Sequence, residues 1–290
     1  MEFVKLSQFS ESELLNTHNL AFSDYEVPME LSLEAFTYFN KRRGVRYDLS
    51  IGAMEGNKLI GFILNAIDMW EDKLTCYDCG TGVIPEFRQK GVGNQIFGEL
   101  LPLLREEGVN QYLLEVIQTN TAAFNLYKNR NFQIIREFDC LQVEKDQLTK
   151  KLGKDKNKIQ RMEYDIKELK NIDWEAVKQF WDFQPSWQNS DLSIERVKES
   201  FYYFGAYLGN EIIGYMVCEQ NGGITQIVVN PEYRKKHIGE NLLHMMLENN
   251  PNVKRINIIN VDTRDETLLT FLRNLGFKTF VTQYEMSLVL

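Results

Sequence analysis

The stretch Val83-Ile-Pro-Glu-Phe-Arg-Gln-Lys-Gly-Val-Gly93 carries the strongest structural signal in this chain. It leaves an apolar strand, passes a proline turn and enters a helix through two glycines, Gly91 and Gly93. A helix that begins in this way leaves the N–H groups of its first turn without intrahelical acceptors, and the helix dipole favours an anion there. Because glycine has no Cβ, a diphosphate can approach this main chain closely. The pattern predicts a strand, loop and helix that bind an anionic ligand.

The same stretch recurs as Val229-Asn-Pro-Glu-Tyr-Arg-Lys-Lys-His-Ile-Gly239. In a chain of 290 residues, this recurrence predicts two consecutive copies of one domain. We expect a first domain over residues 1–143, a charged linker over 144–160 and a second domain over 161–290. The lysine-rich linker is also compatible with an anion-binding patch, but a solvated connection is favoured.

The composition is that of a soluble globular protein, with 43% hydrophobic and 26% charged residues. The net charge of −8 argues against a general nucleic-acid-binding protein, because phosphate contacts require a basic face. No apolar run is long enough to cross a bilayer, and the N-terminal residues lack a signal-peptide pattern. We therefore expect a cytoplasmic protein with neither a nucleic-acid partner nor a membrane partner.

Cys76 and Cys79 form a C-x-x-C pair of the kind found in zinc and redox sites. The pair lies in an extended segment, where residues three positions apart point to opposite faces of the strand. Neither Cys140 nor Cys218 belongs to a second pair with ligand spacing. We therefore interpret the cysteines as small buried side chains and expect no metal site.

Hydrophobic periodicity and turn residues predict alternating strands and helices. A strand over residues 74–83 should lead into the glycine loop. The helix after the loop should end at Gly108 and is expected to kink at Pro102. In the second half, the pattern predicts helices around residues 174–183 and 194–204.

A second motif follows, Leu114-Glu-Val-Ile-Gln-Thr-Asn-Thr-Ala-Ala-Phe-Asn-Leu-Tyr-Lys-Asn-Arg-Asn-Phe132. A strand that ends in Glu-Val, then an asparagine, then a helix that ends in Leu-Tyr resembles the GNAT superfamily of acyl-CoA-dependent N-acetyltransferases. The order of Glu115 and Tyr127 is most similar to the branch that acetylates the N-terminal amines of proteins. The two motifs together cover residues 74–142.

The resemblance implies an α/β fold of two tandem GNAT-like domains, each a mixed, splayed β-sheet flanked by helices. It also implies acetyl-CoA as the co-substrate, wedged into the opening of the sheet. Val83 would pair its backbone with the pantetheine arm, and Asn120 would form a hydrogen bond with the cofactor. The loop residues that would hold the diphosphate are Arg88, Gln89, Lys90, Gly91, Val92 and Gly93.

The resemblance further implies that Tyr127 contacts the cofactor and protonates the departing thiolate. With ordinary pKa values of about 10 for tyrosine and about 8.5 for a thiol, this transfer is uphill by about 2 kcal/mol. Glu115 is the expected general base, because a primary amine is protonated at neutral pH and must lose a proton before attack. Asp78 and a water molecule are the alternatives for the base. Two alternative interpretations also stay open: Tyr127 is a half-buried packing residue, and Glu115 is a structural carboxylate at the edge of its strand.

The second copy departs from this constellation. The replacements are His237 for Gly91, Asp265 for Asn120 and Leu272 for Tyr127. They predict a domain that has kept the fold and lost the chemistry. We expect it to pack against the first copy and to help shape the acceptor site or a homodimer.

The predicted function is transfer of an acetyl group to a primary amine of a small molecule or a peptide, by direct attack in the first domain. A non-catalytic acyl-CoA-binding sensor is the alternative, and a protein-binding surface on the second domain is a third. Acidic and aromatic residues that are candidates for recognising a cationic acceptor are Asp24, Tyr25, Glu26, Trp70, Glu71 and Asp72.

Overall fold

A computed structural model of the chain describes residues 1–24, 29–153 and 163–290. The chain divides into two compact units. Unit 1 contains residues 1–135 and 284–290, and unit 2 contains residues 136–283. The end of the chain therefore completes the unit that its beginning forms. Tyr25 and Glu26, two candidates for acceptor recognition, lie outside the described residues.

Unit 1 is a mixed sheet flanked by helices. Its first four strands pair antiparallel in chain order: β1 (Glu2–Lys5), β2 (Ile51–Glu55), β3 (Lys58–Trp70) and β4 (Lys73–Val83). Strand β5 (Gln111–Ile117) pairs parallel with β4, and the C-terminal part of β12 (Lys278–Val289) follows it. The helices are α1 (Glu11–Ala21), α2 (Leu33–Arg43), α3 (Val92–Glu106) and α4 (Thr121–Lys128).

Local signals determine where these helices begin and end. Ser10 caps α1 in a capping box with Glu13. Gly44 ends α2 in the left-handed conformation, with φ 81°. Helix α3 continues through Pro102. Its apolar face packs on β2, β3 and β4 through four completely buried side chains, which are Ile96, Phe97, Leu100 and Leu104.

Unit 2 repeats this plan. Its strand order is β6-β11-β10-β9-β8-β7, with the strands β6 (Gln133–Glu144), β7 (Asp165–Leu169), β8 (Phe201–Leu208), β9 (Glu211–Glu219), β10 (Gly223–Val229) and β11 (Arg255–Asp262). The helices are α5 (Lys145–Leu152), α6 (Trp174–Val177), α7 (Asp191–Glu195), α8 (Ile238–Asn249) and α9 (Glu266–Asn274). Helix α5 lies within the stretch expected as a linker, and its Leu148 is completely buried.

The helix predicted over residues 194–204 is wrong. Helix α7 ends at Glu195, and β8 begins at Phe201. The run from Phe201 to Phe204 supplies side chains to both faces of a covered sheet, and Phe201, Tyr203 and Phe204 are buried. A short apolar run of this kind cannot be distinguished from a buried helix by its periodicity.

Both sheets open between their parallel strands. In unit 1, only residues 75–77 of β4 pair with residues 111–113 of β5, although both strands continue further. In unit 2, only residues 223–224 of β10 pair with residues 257–258 of β11. A β-bulge lies one or two residues beyond the paired segment in each unit, at Cys79 in β4 and at Thr225 in β10. The predicted mixed, splayed sheet is therefore confirmed in both copies.

Within the part of the chain that the structure describes, no helix combines the length and the apolar character needed to span a membrane.

Candidate active site

The glycine loop forms an uncapped helix terminus at the end of β4. Gly91 is the N-cap of α3 and has φ 75° and ψ 14°, a conformation that disfavours residues with a Cβ. Among the described residues, no side chain caps this end of the helix. The first intrahelical bond runs from the Gln95 N–H to the Gly91 carbonyl oxygen at 3.0 Å. The N–H groups of residues 92–94 therefore have no acceptor inside the helix and can bind an anion.

The other loop residues differ in their surroundings. Val92 is buried, and a Cβ on Gly93 would lie 3.3 Å from Leu126 Cδ2, so Gly93 allows close packing of α4. Gln89 is exposed in the left-handed conformation, with φ 61°. Lys90 is also exposed, and its ammonium lies 4.9 Å from the centroid of the Phe87 ring. Gln89 and Lys90 therefore remain accessible to a ligand, and Val92 does not offer its side chain.

The Arg88 guanidinium is bonded within the protein. Its Nε donates to the Val83 carbonyl oxygen at 3.0 Å. Its terminal nitrogens donate to both carboxylate oxygens of Asp24, at 2.7 and 2.8 Å, and to the Ala21 carbonyl oxygen at 2.7 Å. The hydrogen bond from Arg88 lowers the pKa of the Asp24 carboxyl group. The Val83 carbonyl is thus already bonded within the protein.

Asn120 is the N-cap of α4. Its Oδ1 accepts a hydrogen bond from the Ala123 N–H at 3.1 Å. This cap explains why the helix begins here, because asparagine satisfies an N–H group of the first turn. The structure therefore gives Asn120 a structural task in addition to the cofactor contact expected for it.

Tyr127 and Asp78 come together beside the opening of the sheet. The Tyr127 ring is buried, with its centroid 6.0 Å from that of Phe97 and 5.7 Å from that of Phe132. Its hydroxyl donates to Asp78 Oδ2 at 3.3 Å. The Asp78 carboxylate also accepts from the Thr81 hydroxyl at 2.6 Å and from the Gly80 N–H at 2.8 Å.

Burial raises the pKa of Asp78 to about 6, although its hydrogen bonds oppose this shift. The positive charge of Arg43 opposes it too, and Arg43 donates to the Cys79 carbonyl oxygen at 3.1 Å within the bulge. Asp78 therefore changes its protonation state close to neutral pH. Arg43 could not be predicted from the motifs, because it lies in the last turn of α2, far from Asp78 in the sequence.

Glu115 lies on β5, two residues beyond Leu113, the last residue that pairs with β4. It is half-buried. Burial raises the pKa of Tyr77 well above its usual range, and the charge of Glu115 contributes to this shift. Asp78 on β4 and Glu115 on β5 thus both lie just beyond the segment in which the two strands pair, where the strands separate.

Cys76 and Cys79 are free and buried. The Cys76 thiol donates to Asn65 Oδ1 at 3.4 Å, and the Cys79 thiol donates to the Tyr77 carbonyl oxygen at 3.6 Å. The described residues contain no group of histidine, cysteine, aspartate and glutamate side chains that could hold a metal ion.

Unit 2 keeps the backbone of this site and changes its chemistry. His237 is the N-cap of α8 with φ 60° and ψ 12°, nearly the conformation of Gly91. Its Nδ1 lies 2.9 Å from Glu240 Oε2, so an imidazole and a carboxylate occupy the helix terminus. Asp265 caps α9 by accepting from the Leu268 N–H at 2.9 Å, as Asn120 caps α4.

Leu272 is completely buried in the core of unit 2, where unit 1 has Tyr127. The residue before the bulge is Ile224, where unit 1 has Asp78, and it is also buried. Sequence reasoning did not single out this last replacement. A cleft of ≈ 1040 Å³ remains where β10 and β11 separate.

Both units have a mixed sheet that splays between its parallel strands, and unit 1 adds an uncapped glycine terminus and a buried tyrosine–carboxylate pair. This architecture is that of the acetyltransferases. The chain belongs to the acetyltransferase (GNAT) family, whose family model matches residues 13–132 and 165–277.

Known relatives agree with this assignment. The chain is 29% identical over 110 residues to the ribosomal protein bS18-alanine N-acetyltransferase of Haemophilus influenzae. The aligned region covers 37% of this chain and 71% of that protein. A tandem GNAT protein from the clavulanic acid biosynthesis pathway has the same fold over 99% of this chain and 98% of its own, with TM-score 0.73 and 14% identity. A GCN5-related N-acetyltransferase from Sphaerobacter thermophilus covers 99% of this chain and 95% of its own, with TM-score 0.70 and 13% identity.

Proposed function

We propose that unit 1 transfers an acetyl group from acetyl-CoA to a primary amine by direct attack of the amine. One contrast carries this proposal: unit 1 combines an uncapped helix terminus at Gly91 with the Tyr127–Asp78 pair, and unit 2 has replaced all three residues. Membership of the GNAT family supports acetyl transfer. The relative that acts on the alanine of a ribosomal protein supports an amine as the acceptor.

The residues of unit 1 fit an acyl-CoA. Acetyl-CoA would supply the activated acyl group and a diphosphate. The first-turn N–H groups of α3 would hold the diphosphate, because no Cβ at Gly91 stands in its way. The N–H of Val83 would serve the pantetheine arm, because the Val83 carbonyl is bonded to Arg88.

In the reaction, the amine nitrogen forms a bond with the acyl carbon, and the bond from that carbon to sulfur breaks. One proton leaves the nitrogen and one proton reaches the sulfur. Tyr127 would hold the proton for the sulfur on its hydroxyl, beside the opening. Transfer by a group with an ordinary tyrosine pKa costs about 2 kcal/mol unless it accompanies bond breaking.

Two carboxylates are candidates for the base that takes the proton from nitrogen. Glu115 lies on β5 beyond the paired segment, and we retain it as the proposed base. Asp78 is the second candidate, favoured by its pKa of about 6 and by its hydrogen bond with Tyr127. A proton accepted by Asp78 could pass to Tyr127 and restore its hydroxyl for the next cycle.

The test is release of free CoA from acetyl-CoA with a panel of amines, including peptides with free N-termini. Tyr127→Phe should lower kcat at least tenfold and leave the affinity for acetyl-CoA within about twofold. Tyr164→Phe in unit 2, which also removes a hydrogen-bonded hydroxyl, should leave both unchanged. If the wild-type protein binds acetyl-CoA and turns over no amine, the sensor alternative replaces this proposal.

A further inference from the structure

Arg88 joins three parts of unit 1. It bonds the carbonyl of Val83 at the end of β4, the carbonyl of Ala21 at the end of α1, and the carboxylate of Asp24 just beyond α1. A guanidinium carries five N–H donors, and these four hydrogen bonds occupy four of them. A diphosphate could engage Arg88 fully only by breaking its two-pronged contact with Asp24.

Arg234 makes the corresponding contacts in unit 2. Its Nε donates to the Val229 carbonyl oxygen at the end of β10, at 3.1 Å. A terminal nitrogen lies 3.5 Å from the carbonyl oxygen of Phe180, which ends a 3₁₀ helix, and 2.7 Å from Asp182 Oδ2. Arg88 and Arg234 therefore connect the same three kinds of feature: the end of a strand, the end of a helical segment earlier in the unit, and an aspartate two or three residues after that segment.

Comparison of the two units shows that the arginine contacts occur with or without a glycine at the helix terminus. Unit 2 carries His237 and Glu240 at its helix terminus and still keeps the arginine contacts. A contact that persists without the glycine does not depend on a diphosphate. We infer that Arg88 is a positioning residue of the acyl-donor site and not a ligand of the donor's diphosphate. This inference rests on the proposed function.

The geometry of β4 shows what Arg88 positions. Ile84 donates to the Ile60 carbonyl oxygen at 2.9 Å, so Val83, opposite Gly61, turns its own N–H and carbonyl away from β3. Both groups then face the side on which β4 has separated from β5. By holding the carbonyl, Arg88 fixes the orientation of this last peptide and leaves the Val83 N–H for the donor. It also fixes where the glycine loop begins relative to Asp24.

The test compares two donors, acetyl-CoA and acetyl-pantetheine. Acetyl-pantetheine has the same pantetheine arm as acetyl-CoA but lacks the diphosphate. In Arg88→Gln, KM should rise about fivefold to tenfold for both donors by the same factor, with kcat changed less than KM. In Arg88→Lys, KM should rise similarly, because a lysine keeps the charge but cannot make the planar set of bonds. A rise confined to acetyl-CoA in Arg88→Gln, or a normal KM for acetyl-CoA in Arg88→Lys, would overturn the inference.

Arg234→Gln is the matched control. It removes the equivalent bonds from unit 2, so it should lower Tm about as much as Arg88→Gln and leave KM for both donors unchanged. An equal rise of KM in Arg234→Gln would show general destabilisation and overturn the inference. Asp24→Asn should raise KM in the same direction as Arg88→Gln, and the double variant should be no worse than Arg88→Gln alone.

Dissociation constants from calorimetry separate this inference from the proposed function. If no amine is turned over, the proposed function fails, and the same comparison is made with the affinities for the two donors. If the wild-type protein binds neither donor, both the inference and the proposed function fail.

Discussion

Replacing Gly91 by histidine would copy into unit 1 the residue that unit 2 carries at the same helix terminus. Gly91 and His237 have nearly the same backbone conformation, so this position accepts a side chain without a change of path. A Cβ built on Gly91 comes closest to Gln95 Nε2, at 3.7 Å, which is an ordinary contact distance. The Gly91→His variant should therefore fold.

The expected costs in stability and in binding differ in size. The left-handed conformation costs a residue with a Cβ about 1–2 kcal/mol. For a domain of this size, 1 kcal/mol lowers Tm by about 2–4 °C, so Tm should fall by roughly 2–8 °C. The side chain would also stand over the first-turn N–H groups of α3. Losing one or more charge-assisted hydrogen bonds of about 1.5–3 kcal/mol each should weaken acetyl-CoA binding at least tenfold.

Calorimetric titration of the full chain with acetyl-CoA measures the binding, and thermal unfolding measures the stability. The wild-type protein should bind one acetyl-CoA per chain, and Gly91→His should bind much more weakly. His237→Gly is the control in unit 2 and should not create a second site, because the Glu240 side chain remains at that terminus. Unchanged affinity in Gly91→His would refute the assignment of the diphosphate to these N–H groups.

Three further changes test the polar groups of unit 1. Burial holds the pKa of Asp78 above its unfolded value of 3.8, so Asp78 favours folding below pH 4 and this contribution is lost as pH rises through 6. Between pH 4 and pH 7, the free energy of unfolding of Asp78→Asn should therefore rise by about 2–3 kcal/mol relative to that of the wild type, measured by chemical unfolding. The same variant should flatten any step in the pH profile of activity near pH 6. Asn120→Asp should leave Tm unchanged, because aspartate caps a helix as well as asparagine does, and should raise KM for acetyl-CoA severalfold. The control Asp265→Asn should change neither Tm nor KM. Asp78→Ile and Tyr127→Leu together should cost less stability than the sum of the two single changes, measured by denaturant unfolding, because each single change already breaks the hydrogen bond that the two side chains share. The double variant should abolish turnover.

The sequence was sufficient to predict features that rest on short-range signals. The glycine loop, the helix after it and the strand before it follow from residues that are close in the chain, and the splayed sheet followed from the resemblance they carry. The capping role of Asn120 was also within reach, because asparagine before a helix is a strong N-cap signal. Its interpretation as a cofactor contact alone came from the family and omitted this local physics.

Long-range arrangements could not be predicted in the same way. The bond between Arg88 and Asp24 and the bond between Tyr127 and Asp78 join residues that are far apart in the sequence. The assignment of residues 284–290 to unit 1 likewise depends on strand pairing, which hydrophobic periodicity does not encode. The strand at Phe201 was missed for a related reason, since a strand buried on both faces loses its alternation.

The Tyr127–Asp78 pair behaves as one unit when the two copies are compared. A buried polar group that loses its partners costs about 1–3 kcal/mol, whereas replacing both members of a bonded pair by apolar groups can be nearly neutral. Unit 2 has made both replacements, with buried Leu272 and Ile224 at the two positions, and it retains the same sheet and the same bulge. The fold therefore does not require the pair. A carboxyl group whose pKa burial raises to about 6, bonded to a tyrosine hydroxyl beside the opening of the sheet, is instead suited to moving a proton, and this is the task that acetyl transfer would give it.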